Sequence, residues 1–291
     1  STLVRRKTES TGAAEALSAA SIIVALTAAF VLLRWIAAGG AGVTISPFTE
    51  ASLRVAGLMA AGLTLMPRIH ENPGFIGQWR GHALLTAGLL YALLWLGLAT
   101  NPWWGGAGRA VVSGPPVFNA LPLAFLVPAG LAFLAANRLY PRQLNFARFY
   151  GAAGAVLTLI WAIMEIRHTA HQSAMAEPGI GLFESACYAL VVLLFALGVA
   201  VAARMRARKH ALEPFTQDLM RVMRGVAWAC LAFSGIVLLI VQHPIWGAQE
   251  SVASNALSTL LAVAAQFVAV ILVLLLGRAL SVSNSPDRTR F

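Results

Sequence analysis

The stretch WAIMEIRHTAHQ, residues 161 to 172, sets Glu165 three residues before His168, with Arg167 between them and His171 one helical turn beyond. A carboxylate and an imidazole at that spacing share one face of a helix, as the ligands of carboxylate-bridged metal bundles do. Such a centre needs a second Glu-x-x-His and further inward carboxylates, and no other segment of the chain supplies that pattern. The residues therefore predict no metal and no cofactor. Two other roles remain open. Ionisable groups at membrane depth are expensive and mark ion or proton pathways. Alternatively the cluster is structural, because a helix C-terminus favours cations and an N-terminus anions. In that case Arg167 pairs with Glu184 across a helical hairpin, Arg34 pairs with Glu50 in the first half, and Glu50 also reaches Arg54 at i, i+4. Glu165 is the acid for which the structural role names no partner.

The composition indicates what must hold these residues. The chain has 291 residues, 59% hydrophobic and 11% charged, with a mean hydropathy of +0.76, whereas soluble domains run near a quarter charged. Several apolar runs reach the roughly 20 residues that cross about 30 Å of hydrocarbon. The expected fold is all-α, a polytopic transmembrane bundle of about eight spans, near residues 16–37, 51–66, 82–100, 117–136, 146–166, 184–203, 222–241 and 255–278. Ser46 or Thr49 is expected to cap the second span, which can begin near Pro47. Pro122 and Pro128 predict a bend in the fourth. The opening STLVRRKTES looks like the start of a signal peptide, but the run behind it has span length and no small-residue cleavage site, so it is expected to stay as a helix. The chain starts at Ser1, which fits either a removed initiator or a piece of something longer.

Orientation follows from the basic residues in short loops. Of 21 Lys and Arg, only Arg34, Arg54, Arg109 and Arg167 fall on one side of the expected spans. The other side takes the remainder, which places both termini in the cytoplasm of a bacterial inner membrane and turns WAIMEIRHTAHQ outward. The net charge of +10 is thus topological rather than a sign of nucleic-acid binding. The lipid bilayer is the implied partner, together with a membrane-protein or periplasmic partner on the outer loops.

The halves resemble one another. Residues 101–139 parallel 243–280, and 31–58 parallel 163–190, matching Arg34 to Arg167 and Glu50 to Glu184. The division is into four-span units at 1–140 and 141–291, related as in parallel-repeat transporters. Trp103, Trp104 and Trp246, in Asn101-Pro102-Trp103-Trp104 and His243-Pro244-Ile245-Trp246, are expected at the outer interface, where an amphipathic ring anchors a span. Cys187 and Cys230 lie in apolar runs and read as small hydrophobes. There is no Walker motif, Gly-x-Ser-x-Gly or His-Glu-x-x-His, and no haem attachment signature.

The order of NPWW, GPPVFNALPLAFLVPAGLAFLAANRL, EIRHTAH and ESACYALVVLLFALGVA resembles the bacterial domain-of-unknown-function 2339 family of large predicted polytopic membrane proteins, over about residues 50–205. Glu165, Arg167, His168 and Glu184 take that family's positions. The resemblance implies a longer relative with an N-terminal coiled coil and more spans, and it carries no activity. Function is therefore expected to be a binding or scaffold role with an outward working surface. A transporter using Glu165 is the alternative. An enzyme acting on lipid-linked glycans, with Glu165 or Glu184 and His168 as acid and base, lacks a nucleophile or metal to complete it.

Overall fold

In a computed structural model the described residues are 12–42, 44–66, 75–104, 111–140, 142–209, 225–226, 228–236 and 256–281, and every regular element among them is helical. Five helices are long and apolar enough to cross a membrane: Glu15–Ala37, Phe75–Trp104, Pro122–Leu139, Leu144–Ala174 and Phe183–Ala202. The second expected span is an 18-residue helix, Pro47–Thr64, outside those five. The seventh is described at residues 225–226 and 228–236, where it is helical, and the eighth is the helix Ala256–Ser281, with a shorter apolar stretch at Phe267–Leu276.

The chain divides into two compact units, Ser1–Glu177 and Pro178–Phe291. The first holds α1 (Gly12–Ala37), α2 (Pro47–Thr64), α3 (Phe75–Leu90, running on as a π-helix through Tyr91–Ala99), α4 (a π-helical turn Pro122–Leu126 followed by Val127–Leu139) and α5 (Leu144–His171). Its buried core joins Phe48, Val55 and Met59 of α2, Leu85 and Leu89 of α3, Phe125 and Ala132 of α4, and Tyr150 and Leu157 of α5. Lipid is as apolar as these side chains, so close packing and hydrogen bonds, rather than water exclusion, hold the helices together. Packing is closest where α2 meets α3. A Cβ on Gly62 would stand 2.7 Å from the Leu85 backbone nitrogen, and one on Gly81 would stand 2.9 Å from the Gly62 carbonyl oxygen. By contrast α1 leaves Ile23, Val24, Val31 and Trp35 exposed, as a lipid-facing helix would.

The helices alternate in direction, as their end contacts establish. At one end Arg80 Nη1, near the start of α3, donates to Ser18 of α1 at 3.1 Å, and Arg138, at the end of α4, donates to the Leu63 carbonyl of α2 at 2.7 Å. There too His82 of α3 meets Gln143 Oε1 at 3.0 Å and the Tyr150 hydroxyl at 3.2 Å, with its ring stacked on Phe146. At the other end Arg34 meets Glu50, and α5 finishes against the segment that leads into α4. Ser46 caps α2 by accepting from Thr49 N at 3.1 Å, with Pro47 in the first turn, where a missing N–H costs nothing.

The two prolines of α4 produce a widened turn. Val127 N–H bonds back to the Pro122 carbonyl, five residues earlier. Pro128 has no N–H and its ring would press on the carbonyl four residues before it; the looser π-turn just ahead accommodates that. Of the second unit, α6 (Leu182–Lys209) and α7 (Ala256–Ser281) pack together, with Leu193, Ala269 and Leu272 in one cluster and Ala196, Ala200 and Leu276 in another. Residues 228–236 are also helical, and Ser234 Oγ donates to the Ala189 carbonyl at 3.2 Å.

Candidate functional site: a loop clamp at the end of α5

The helix α5 runs to His171, so Glu165, Arg167, His168 and His171 occupy its last two turns rather than a loop beyond it. Glu165 and His168 share the face that the Glu-x-x-His spacing predicts, but they grip backbone. Glu165 Oε1 accepts from Val117 N at 2.6 Å and from Asn119 Nδ2 at 2.9 Å. His168 Nε2 faces the Gly114 carbonyl oxygen at 2.9 Å and Nδ1 the Gln172 carbonyl oxygen at 3.0 Å. A neutral imidazole donates to one of these and a protonated one to both.

What they hold is a tight turn. Phe118 N donates to the Pro115 carbonyl at 3.1 Å across Pro116 and Val117, and Val117 has φ +69°. Pro at the second position and positive φ at the third define a type II turn, where the third residue is ordinarily glycine. A β-branched residue there is a genuine outlier, held by its surroundings. The holding contacts are the Val117 N–H bond to Glu165, the buried Val112 on the approach side, and Asn119 Oδ1, which accepts from Leu121 N at 2.8 Å and starts α4. Residues 113–118 consequently lie exposed, with Phe118 82% accessible, above a backbone fixed from below.

Arg167 secures a second segment. Its side chain is buried, 1% exposed, with Nε donating to the Met175 carbonyl at 2.9 Å, Nη2 to the Glu177 carbonyl and Nη1 to His171 Nε2 at 2.7 Å. Its guanidinium also lies 5.0 Å from the Trp103 ring centroid, a cation–π contact that strengthens when desolvated. With Nε2 accepting from Arg167, the His171 proton falls on Nδ1, 4.0 Å from Glu177 Oε2. Asn101 fixes the approach to Trp103: its Nδ2 donates to the Gly97 carbonyl at 2.8 Å and its Oδ1 accepts from Trp103 N at 2.9 Å. Trp104 is exposed beside it, and Trp246 lies outside the described residues.

The other singled-out residues lie on other helices. Glu50 is buried and bridges Arg34 at 2.8 Å and Arg54, whose guanidinium also lies 5.9 Å from the Phe30 ring centroid. Glu184 belongs to the second unit, where it accepts from Tyr188 Oη at 2.6 Å at the start of α6. No group of three or more His, Cys, Asp or Glu with metal-holding geometry occurs among the described residues. Sequence reasoning missed Gly114, Val117 and Asn119. The Gly-Pro-Pro run followed by Asn was the available signal, since such runs mark tight turns.

The model of the predicted membrane protein family DUF2339 matches residues 1–213, so the chain belongs to that family. No curated protein and no solved structure matches it.

Proposed function

We propose that this DUF2339 member is a multi-pass protein of the bacterial inner membrane, with both termini cytoplasmic, that serves as a binding or scaffold component of an envelope assembly. Its working surface is the set of loops at the Glu165 end of the first unit. The observation that carries this is the use of Glu165, Arg167 and His168. Each of the three bonds at least one backbone group of residues 114–119 or 172–177, which pre-shapes a surface at low entropic cost to binding. Charge supports the orientation: Arg80, Arg138, Arg142 and Arg148 gather at the opposite end, where the positive-inside rule puts the cytoplasm. The division into four-span repeats at 1–140 and 141–291 belongs to the same proposal, with Arg34 and Glu50 as the first repeat's counterparts of Arg167 and Glu184.

The test replaces residues 113–118 with a Gly/Ser segment of equal length and follows cross-linked complexes in native membranes. Loss of the complexes, with the protein still inserted, is expected; complexes unchanged in amount and size would overturn the proposal. Transport is the second reading, favoured by Glu165 being 8% exposed with one carboxylate oxygen unpartnered. In that case Glu165→Gln abolishes pH-dependent flux in proteoliposomes, while a loop clamp leaves flux at the level of empty vesicles in both proteins. Acid–base catalysis is disfavoured, because both ring nitrogens of His168 are engaged by carbonyl oxygens.

A further inference from the structure

The clamp leaves two polar atoms of α5 without partners. Glu165 gives Oε1 to Val117 and Asn119, while its Oε2 is buried and accepts nothing; the indole Nε1–H of Trp161 is likewise buried and donates to nothing. Buried polar atoms are nearly always satisfied in native proteins, so two together call for an occupant. The two residues are four apart on α5 and therefore share one face, with Cβ atoms about 6 Å apart.

The facing helix is widened at the same height. Asn119 meets Glu165, and α4 and α5 run antiparallel, so Pro122–Leu126 lies level with residues 158–162 of α5. That is the π-helical turn of α4, and it packs against α5. Single π-turns within α-helices recur at functional sites.

We propose that Trp161 and Glu165 form a subsite for a hydroxyl group, which accepts from the indole N–H and donates to Glu165 Oε2. Only a group that is acceptor and donor at once satisfies both atoms. An ammonium offers the indole no acceptor, and a phosphate or carboxylate offers Glu165 no donor and meets its charge. A resident water and a headgroup hydroxyl of a lipid share this chemistry. The subsite goes beyond the loop platform, since Trp161 takes no part in the clamp.

The test uses the full chain with indole-15N tryptophan in nanodiscs, one set containing phosphatidylglycerol and one containing phosphatidylmethanol, an anionic phosphodiester without a headgroup hydroxyl. The Trp161 resonance is identified by its loss in Trp161→Phe. Glu165→Gln puts an amide where Oε2 accepted, and is expected to move that resonance and speed its exchange with solvent about tenfold. His168→Ala, which loosens the loop without touching the subsite, is expected to leave it in place. A resonance that differs between the two lipids assigns the hydroxyl to the headgroup, and one that is the same in both assigns it to water. A resonance unmoved by Glu165→Gln, or moved equally by His168→Ala, overturns the subsite. Should Glu165→Gln fail to fold, Trp161→Phe tests the other partner: the infrared carboxyl band that Glu165 contributes is expected to shift, and an unshifted band overturns the proposal. Loop replacement can fail while this result stands, and the converse also holds.

Discussion

Replacing Val117 by glycine should stabilise the first unit. Val117 sits at φ +69° in the third position of a type II turn, where a non-glycine residue costs roughly 1–3 kcal/mol. Glycine removes that strain but gives the unfolded chain more freedom, which offsets about 0.5–1 kcal/mol. The valine side chain is 51% exposed, so little packing is lost. The Val117 N–H that Glu165 accepts is kept. The net gain is about 1 kcal/mol, or roughly 2–4 °C in Tm for a unit of this size. Thermal unfolding in detergent, followed by protease resistance of the first unit, reads it out. Val117→Ala is the control: it keeps a Cβ at positive φ and should gain clearly less than glycine. Destabilisation by Val117→Gly, or an equal gain from alanine, would refute the argument from backbone strain.

Three further outcomes follow from particular contacts. Arg167→Lys keeps the charge but cannot reach the Met175 carbonyl, the Glu177 carbonyl and His171 together; it should cost about 2–4 kcal/mol and raise protease cleavage near residues 175–177. Gly81→Ala drives a Cβ to 2.9 Å from the Gly62 carbonyl oxygen, and the forced separation of α2 from α3 should cost about 1–3 kcal/mol in the same unfolding assay. His82→Phe keeps the stack on Phe146 but loses Gln143 and Tyr150; a loss of about 1–2 kcal/mol is expected, without any change at the loops of the Glu165 end.

Long apolar runs made the membrane helices legible, because hydrocarbon thickness demands length and apolarity in contiguous sequence. The helix Pro47–Thr64 shows where that signal weakens. Its buried Glu50 and Ser52 lower its hydropathy although it packs in the core of the first unit. The pairing of Arg34 with Glu50, and of Glu50 with Arg54, could be read from sequence because it rests on short-range spacing and helix-end charge preference. The partners of Glu165 could not. They are a backbone N–H and an amide 48 and 46 residues away, and a backbone donor has no residue type to reveal it. The Glu-x-x-His spacing identified a helical face correctly while leaving open what the face holds. For the same reason Pro122 and Pro128 announced a perturbed helix without indicating that it would widen into a π-turn.

The central claim is that the end of α5 holds loop backbone in shape, and the amide exchange rate of Val117 tests it most directly. Compared in wild type and Glu165→Ala by hydrogen–deuterium exchange with residue-level fragmentation, that amide should exchange about tenfold faster or more in the variant. Amides near Leu85 and Leu89 in the core should be unchanged. A Val117 amide equally protected in both proteins would contradict the clamp.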